Sequence, residues 1–342
     1  MRTRESRRGF TLLELMAVVA IIAVLIALLM PAICRSREAA RRAQCVNNLK
    51  QVGLAIHNYL STEGVFPLSL LLDDAGGAAV RTNDWGAFVR IIPHLDQVLW
   101  YNAINFAESR TDAQNSTVVR LQIGSYLCPS QDRRDPATHP YGTSGVISYG
   151  LCEGDWLVWG GFTGERNQAI FGPNRARPID QITDGTSNTM MASDVRSYFP
   201  TYVCDRVGLA RIRENEPRPM LDDHPAKIPY EYYSGACRLD RLGHTEWTSG
   251  GVLATGMTAA WKPNMAVLGT PSRNEAIDLL GIPESAGGPT FGAINARSDH
   301  PGGVNVLFGD GVVRFIKNGI SGVTWRAIAT VDGGEVISAD CY

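Results

Sequence analysis

The sequence has no excess of charge of either sign. Its 32 lysine and arginine residues nearly balance 34 aspartate and glutamate residues, which gives a formal net charge of −2. Nucleic-acid-binding surfaces are normally basic, so this balance gives no reason to predict a nucleic-acid partner. The 44% hydrophobic and 19% charged residues are ordinary for a globular protein with one membrane segment. A chain of 342 residues suffices for a membrane stalk with one large domain or two modest ones.

The sequence also lacks the motifs of common catalytic sites. It contains no His-Glu-x-x-His, Gly-x-Ser-x-Gly or Cys-x-x-Cys pattern and no phosphate-binding glycine loop. The six histidines are dispersed without the spacing of metal ligands. Residues 222–224, Asp-Asp-His, could bind a cation, but a solvated acidic turn is the more ordinary interpretation. We therefore predict that the protein is not an enzyme and uses neither a metal nor another cofactor.

One long apolar run is present near the start of the chain. Residues 10–30 carry no charge except that of Glu14, and several arginines precede Gly9. About 20 apolar residues can cross a bilayer as one helix. A secretory signal peptide would have a shorter apolar core and a small-x-small cleavage site. A plain membrane anchor explains the length but neither the Gly9-Phe10 junction nor Glu14. A carboxylate deep in a span costs about 2.5–3.5 kcal/mol, and although Glu14 lies near one end, where the cost is smaller, an anchor has no use for it.

Residues 9–15, Gly-Phe-Thr-Leu-Leu-Glu-Leu, resemble the prepilin motif of type IV pilins and type II secretion pseudopilins. The resemblance implies that a prepilin peptidase cuts after Gly9 and methylates the new amine of Phe10. It also implies that Glu14 pairs with the N-terminal amine of a neighbouring subunit, since a charge among apolar helices is tolerable mainly when paired. Pro31 stands where this family places a helix-kinking proline.

Topology follows from the resemblance and not from charge. Arginines flank the apolar run on both sides, so the positive-inside rule does not choose an orientation. The resemblance implies a single pass through the inner membrane, with the N-terminus in the cytoplasm and the body in the periplasm or at the cell surface. The partners that it implies are the prepilin peptidase and other pilin or pseudopilin subunits, which contact the N-terminal helix.

A helical pattern continues beyond Pro31. Apolar residues recur at three-, four- and seven-residue steps, as expected for one face of an amphipathic helix: Ile33, Ala40, Cys45, Leu49, Val52, Ile56 and Tyr59. Gly64 is a reasonable stop for this helix. We predict a leader over 1–9, a transmembrane helix over 10–31, an amphipathic helix over 32–63 and a globular body over 64–342. The predicted fold class is α+β, a long helix packed on an antiparallel β-rich domain, which is the lollipop shape of pilins with an enlarged head.

The clearest β signal in the body is a hairpin over 303–316. Two apolar strands flank Asp310 and Gly311, and glycine supplies the positive φ that such a turn requires. Other elements are predicted along the body: a helix over 85–97 that breaks at Pro93, a short helix through 100–104, a helix or strand over 118–127, a loop over 129–145, strands over 148–151 and 156–159, a turn and buried strand over 179–191, an extended surface excursion over 205–247, and a short helix over 321–329.

The C-terminal part carries a second resemblance. His300, followed after nine residues by Asp310-Gly311, resembles the C-terminal motif of a large prepilin-like family that is abundant in planctomycetes and carries a domain of unknown function. Residues 128–130, 184–189 and 300–303 also resemble landmarks of that family. One departure is Asp194, which stands where the family pattern leads us to expect a glutamate. Because the hairpin places His300 opposite position 320, we predict structural roles for His300 and Asp310 rather than a catalytic pair.

Five of the seven cysteines lie in the predicted external body: Cys128, Cys152, Cys204, Cys237 and Cys341. An oxidising compartment would permit disulfides there. Proximity alone makes Cys128 with Cys152 and Cys204 with Cys237 plausible pairs, although a sequence does not determine connectivity. One external cysteine must be left over.

Two functions remain open from the sequence. The leading hypothesis is a pseudopilin-like or minor-pilin subunit, processed and N-methylated by the peptidase. The alternative is a membrane-anchored surface binding module for a glycan or peptide, which uses the prepilin helix only for export. The large body motivates this alternative. A periplasmic hydrolase is the weakest hypothesis, because no constellation of catalytic residues supports it.

Overall fold

The computed structural model of the chain describes residues 11–74, 79–81, 85–204, 237–265, 268–270 and 273–335. Several predicted features lie outside these residues: the processing pair Gly9 and Phe10, the acidic turn at 222–224, Cys341, and most of the excursion predicted over 205–247. The architecture below concerns the described part of the chain.

Helix α1 (Leu12–Glu63) is 52 residues long and carries Pro31 inside it. It ends at Gly64, whose φ of +75° is left-handed and favours glycine. At about 1.5 Å per residue the helix is about 80 Å long. Ile33 and Ala40 of the predicted apolar stripe are exposed, and the first buried residue of the helix is Cys45.

Short helices follow α1. The α-helices are α2 (Ala87–Arg90), α3 (Val98–Asn102), α4 (Ser116–Val119), α5 (Val252–Thr255) and α6 (Gly322–Ala327). Single 3₁₀ turns occur at Ile92–Leu95, Ala113–Asn115, Gly124–Tyr126, Ile179–Gln181 and Glu284–Ala286.

The described strands are numbered in chain order. The first eight are β1 (Leu72–Asp74), β2 (Ala79–Arg81), β3 (Ala137–His139), β4 (Gly142–Ser144), β5 (Tyr149–Cys152), β6 (Leu157–Trp159), β7 (Met190–Asp194) and β8 (Phe199–Cys204). The others are β9 (Cys237–Gly243), β10 (Gly256–Met257), β11 (Leu268–Thr270), β12 (Arg273–Ala276), β13 (Asp278–Leu280), β14 (Thr290–Ala293), β15 (Gly303–Phe308) and β16 (Val313–Lys317).

The first five-stranded sheet has the order β10-β5-β7-β15-β16 and supports the second half of α1. Its pairings are antiparallel except that of β10 with β5. The helix approaches β15 closely at Gly53, where an added Cβ would lie 2.8 Å from Leu307 Cδ1. Leu49, Val52 and Ile56 are fully buried in the core that the helix shares with this sheet. Burial of apolar area contributes about 25 cal/mol per Å², so these three side chains stabilise the packing of the helix against the head.

The second five-stranded sheet has the order β6-β14-β13-β8-β9. It is antiparallel apart from the parallel pair β13 and β8. The predicted α+β class, a long N-terminal helix with a β-rich domain, is therefore confirmed, with two parallel pairings in otherwise antiparallel sheets. The small hairpins β1–β2, β3–β4 and β11–β12 complete the described strands.

Two predicted connections contain strands. The segment 129–145, predicted as a loop, holds the hairpin β3–β4, in which Thr138 faces Thr143. The described end of the predicted surface excursion forms β9, which pairs with β8 along its length. The sequence did not predict these strands for one reason. Polar three-residue strands and a charged edge strand have little of the alternation of apolar and polar residues that predicts a strand.

Candidate functional site

The N-terminal end of α1 is closed by a capping box. Thr11 donates from its backbone N and from its Oγ1 to Glu14 Oε2, both at 2.9 Å, and Glu14 N donates to Thr11 Oγ1 at 3.3 Å. These bonds satisfy backbone groups that a helix start leaves unpaired. Glu14 thus caps its own helix, a role that the sequence prediction missed. The Thr-x-x-Glu pattern before an apolar run was the signal that could have found it.

The first half of α1 has no cover from the described chain. Its large apolar side chains are exposed from Leu12, at 78%, to Ile33, at 48%. In the described residues this helix is the one long and apolar enough to cross a membrane, and none of its most apolar 18-residue window is buried. An apolar surface of this size is unstable in water and requires lipid or other apolar helices.

A group of five residues, which we call the junction cluster, joins α1 to the head: Glu38 and Cys45 from the helix, and Cys128, Ser130 and His300 from the head. A disulfide links Cys45 to Cys128, with Cα atoms 5.0 Å apart. His300 Nδ1 donates to Glu38 Oε1 at 2.9 Å, and Ser130 Oγ donates to the same oxygen at 3.0 Å. The other ring nitrogen, Nε2, lies 3.5 Å from Cys128 Sγ.

The junction cluster favours an ionised Glu38. Burial opposes the charge, but hydrogen bonds from His300, Arg41 and Ser130 outweigh it and hold the pKa of Glu38 below its ordinary value. The two cysteine sulfurs and a ring nitrogen of His300 lie within 4.8 Å of one another, so these three residues could hold a metal ion only if the disulfide were reduced to thiols.

The cysteine connectivity differs from one of the predicted pairs. Cys128 bonds to Cys45, 83 residues earlier, and not to Cys152. Cys152 is a buried free thiol in β5, and burial raises its pKa to about 12. It points to Ala329 O at 3.8 Å, away from the helix that carries Cys45. The structure joins Cys204 to Cys237 at the paired ends of β8 and β9.

The hairpin register separates His300 from Asp310. Gly303 faces Lys317 across β15 and β16, so His300 lies far from the turn, among the residues of the junction cluster. Asp310 Oδ1 accepts from Val312 N at 2.9 Å, and its Oδ2 accepts from Arg314 at 3.2 Å. Gly311 has a φ of +80°, as the turn requires. The three residues of the C-terminal motif thus lie at two places, the junction and the hairpin turn.

Two further residues hold α1 against the head. Arg42 lies over the ring of Phe315, with its guanidinium carbon 3.5 Å from the ring centroid. Asn48 donates to Leu127 O at 2.8 Å from the buried face of the helix. Asp194, which stands where the family pattern leads us to expect a glutamate, is buried on β7. Its Oδ2 accepts hydrogen bonds from the backbone and the side chain of Asn305. The contacts of Arg42 and Asn48 add polar interactions to the apolar interface between α1 and the head.

An exposed apolar helix on a β-rich head is the architecture of a prepilin-like protein, and within the described residues it is the one candidate membrane span. Comparison with known families agrees, because residues 4–30 match the prokaryotic N-terminal methylation motif. The chain belongs to the family described as "Protein of unknown function (DUF1559)", which matches residues 35–321. No curated protein and no solved structure matches the chain. The methylation motif implies processing by a prepilin peptidase and assembly with other pilin subunits.

Proposed function

We propose that the protein is a pseudopilin-like or minor-pilin structural subunit of a type II secretion or type IV pilus-like assembly. It is cleaved after Gly9, methylated on Phe10 and held in the inner membrane by α1, with the N-terminus cytoplasmic and the head outside. The observation that carries this proposal is the exposed apolar half of α1, most of which lies within the matched methylation motif. Helices in a bilayer associate through close packing and paired polar groups, and α1 offers both.

Glu14 is the paired polar group of this proposal. Both capping bonds use its Oε2, and among the described residues no hydrogen bond involves Oε1. That oxygen can accept from the amine of a neighbouring subunit while the cap stays in place. Under this proposal, assembly requires the charge of Glu14 and not its capping bonds, and substitutions can separate the two roles.

We expect Glu14→Gln to leave cleavage intact and to abolish incorporation into assemblies. Glutamine keeps the cap, because the third position of a capping box accepts Glu or Gln, but it has no charge to pair with an amine. The matched variant Thr11→Ala removes the cap, at about 1 kcal/mol, and keeps the charge, so it should incorporate. Mass spectrometry of the N-terminus reports cleavage and methylation.

Incorporation is measurable through Cys34, an exposed free thiol on α1. A thiol cross-linker applied to membranes should link neighbouring subunits in the wild type and in Thr11→Ala, and Cys34→Ser should remove that product. Gly9→Leu supplies the uncleaved reference. Cross-linking of Glu14→Gln at the wild-type level would contradict the pairing role, and an intact Met1 in the wild type would contradict the proposed processing.

A second candidate function, binding of an anionic glycan or peptide by the head, is favoured by a cluster of arginines. A cavity of about 280 Å³ is lined by Arg166 and Arg175, with Trp159 and Phe162 beside them. Burial lowers the pKa of Arg175, and the positive charge of Arg166 adds to the effect. Burial and the charge of Arg175 lower the pKa of Arg177 to about 10. Asp332 offsets part of this positive charge, and a carboxylate bound in the cavity would offset more of it.

For this second function we expect Arg166→Glu to weaken retention of the full-length protein on immobilised polygalacturonate by about tenfold or more, since hydrogen bonds to charged groups contribute about 1.5–3 kcal/mol. The matched control is Arg120→Glu, which changes an exposed arginine that does not line the cavity. Uncharged dextran should retain neither protein. Equal retention of the two variants would exclude this cavity as the site.

A further inference from the structure

The junction cluster has the composition of a metal site as well as of a covalent cross-link. Cys45, Cys128 and His300 are all buried, and their ligand atoms lie within 4.8 Å of one another. In the described residues this is the group of three or more His, Cys, Asp or Glu side chains that is close enough to hold an ion. Sequence spacing did not reveal it, because the three residues come from positions 45, 128 and 300.

The orientation of His300 is that of a metal ligand. Its Nδ1 lies 2.9 Å from the carboxylate of Glu38, which leaves Nε2 as the ring nitrogen that faces the cysteines. Nε2 lies 3.5 Å from Cys128 Sγ, and it is the atom that the ring would offer to a metal ion there. A carboxylate behind a histidine, as Glu38 is here, is the usual outer partner of a metal-binding imidazole.

We propose that the junction cluster binds one Zn²⁺ ion through Cys45, Cys128 and His300 Nε2 when the two cysteines are thiols. Zn–S bonds of about 2.3 Å and Zn–N bonds of about 2.0–2.1 Å at tetrahedral angles place sulfur and nitrogen about 3.5 Å apart. The distance from His300 Nε2 to Cys128 Sγ is 3.5 Å in the disulfide form, and the two sulfurs, which are bonded there, must separate to about 3.8 Å to bind zinc. Two thiolates with an imidazole suit Zn²⁺ and do not suit Mg²⁺ or Ca²⁺, which prefer oxygen ligands.

The zinc state and the disulfide state exclude each other. On binding, each thiol loses its proton and each sulfur forms a bond to zinc, so two protons are released for each ion. Conversion to the disulfide removes two electrons from the two thiolates, which an external protein disulfide must accept, and it releases the ion. In both states α1 stays attached to the head at Cys45.

The test uses the full-length protein in detergent micelles, reduced with a phosphine and freed of reductant without air. Zn²⁺ is titrated against a chromophoric chelator, and Co²⁺ serves as a spectroscopic probe. We expect one tightly held ion per chain, a thiolate-to-cobalt charge-transfer band, and X-ray absorption of the zinc form with two sulfurs and one nitrogen among the ligands. Glu38→Gln should weaken binding by about 10–100-fold, the effect typical of an outer-shell partner.

Matched variants separate this site from the other cysteines and histidines. Cys128→Ser and His300→Ala should lose the tightly held ion, whereas Cys152→Ser, His57→Ala and the double variant Cys204→Ser/Cys237→Ser should keep it. The oxidised wild type should bind no ion at the cluster, a control that needs no substitution. The proposal is overturned if reduced and oxidised wild type bind alike, if His300→Ala leaves the cobalt spectrum unchanged, or if X-ray absorption shows no sulfur ligand.

Discussion

Replacing Asp278 by alanine is expected to lower the free energy of unfolding of the head by about 3–5 kcal/mol. Asp278 Oδ1 accepts from Arg297 Nη2 at 2.7 Å, and the two side chains are 2% and 4% exposed. Arg297 also donates to Met265 O and lies over the ring of Phe199 on β8. The alanine variant would leave a buried guanidinium without its counter-charge. Removing one partner of a buried ion pair costs more free energy than replacing both partners by apolar residues.

The measurement is denaturant unfolding of the full-length protein in micelles, followed by tryptophan fluorescence. Burial raises the pKa of Asp278 in spite of Arg297, so the comparison belongs at mildly alkaline pH, which favours the ionised carboxylate. The double variant Asp278→Leu/Arg297→Met is the matched control, and it should be more stable than either single change because no charge remains buried. A loss below about 1 kcal/mol in Asp278→Ala would show that the pair does not carry the predicted energy.

Asp194 is expected to make the stability of the head depend on pH. Burial raises its pKa from 3.8 to about 7, while bonds from Asn305 act in the opposite direction. Within this window the native chain holds a proton that the unfolded chain has lost, so stability falls as pH rises from about 4 to about 7 and then levels off. One pKa unit corresponds to about 1.4 kcal/mol, so the expected fall is a few kcal/mol.

Asp194→Asn isolates this contribution. The amide oxygen can accept from Asn305 as Oδ2 does, and the side chain no longer ionises. The variant minus wild-type difference in unfolding free energy should rise through the same window, by a few kcal/mol in favour of the variant. Burial also raises the pKa of Glu153 and Asp278, so the wild-type slope alone is not diagnostic. A pH-independent difference would contradict the assignment to Asp194.

The sequence predicted well those elements whose causes are local. The hairpin over 303–316 depends on two apolar runs and one Asp-Gly turn, and the structure has β15 and β16 within a residue of the predicted ends. Helix α1 follows from its apolar periodicity and from Gly64, and α6 lies within the helix predicted over 321–329. Each of these features is encoded in a window of a few residues, where propensity and periodicity act.

The junction cluster could not be predicted because its contacts are distant in the chain. Cys128 was assigned to its nearer neighbour in sequence, but α1 packs across the sheet and brings Cys45 to it. The bond from His300 to Glu38 spans 262 positions. A loop role for His300 was predictable from the hairpin, whereas its partner on the stalk was not. Only tertiary packing, which a single sequence does not reveal, places these residues together.

The link between Cys45 and Cys128 also decides how mechanical load passes through the molecule. A pull along the N-terminal half of α1 reaches the covalent bond at Cys45 before it reaches the packed segment around Leu49 and Ile56. The disulfide therefore carries the tension, and the apolar interface on its C-terminal side is not pulled apart one helical turn at a time. The load then enters the head at Cys128, in the segment that follows the 3₁₀ turn Gly124–Tyr126.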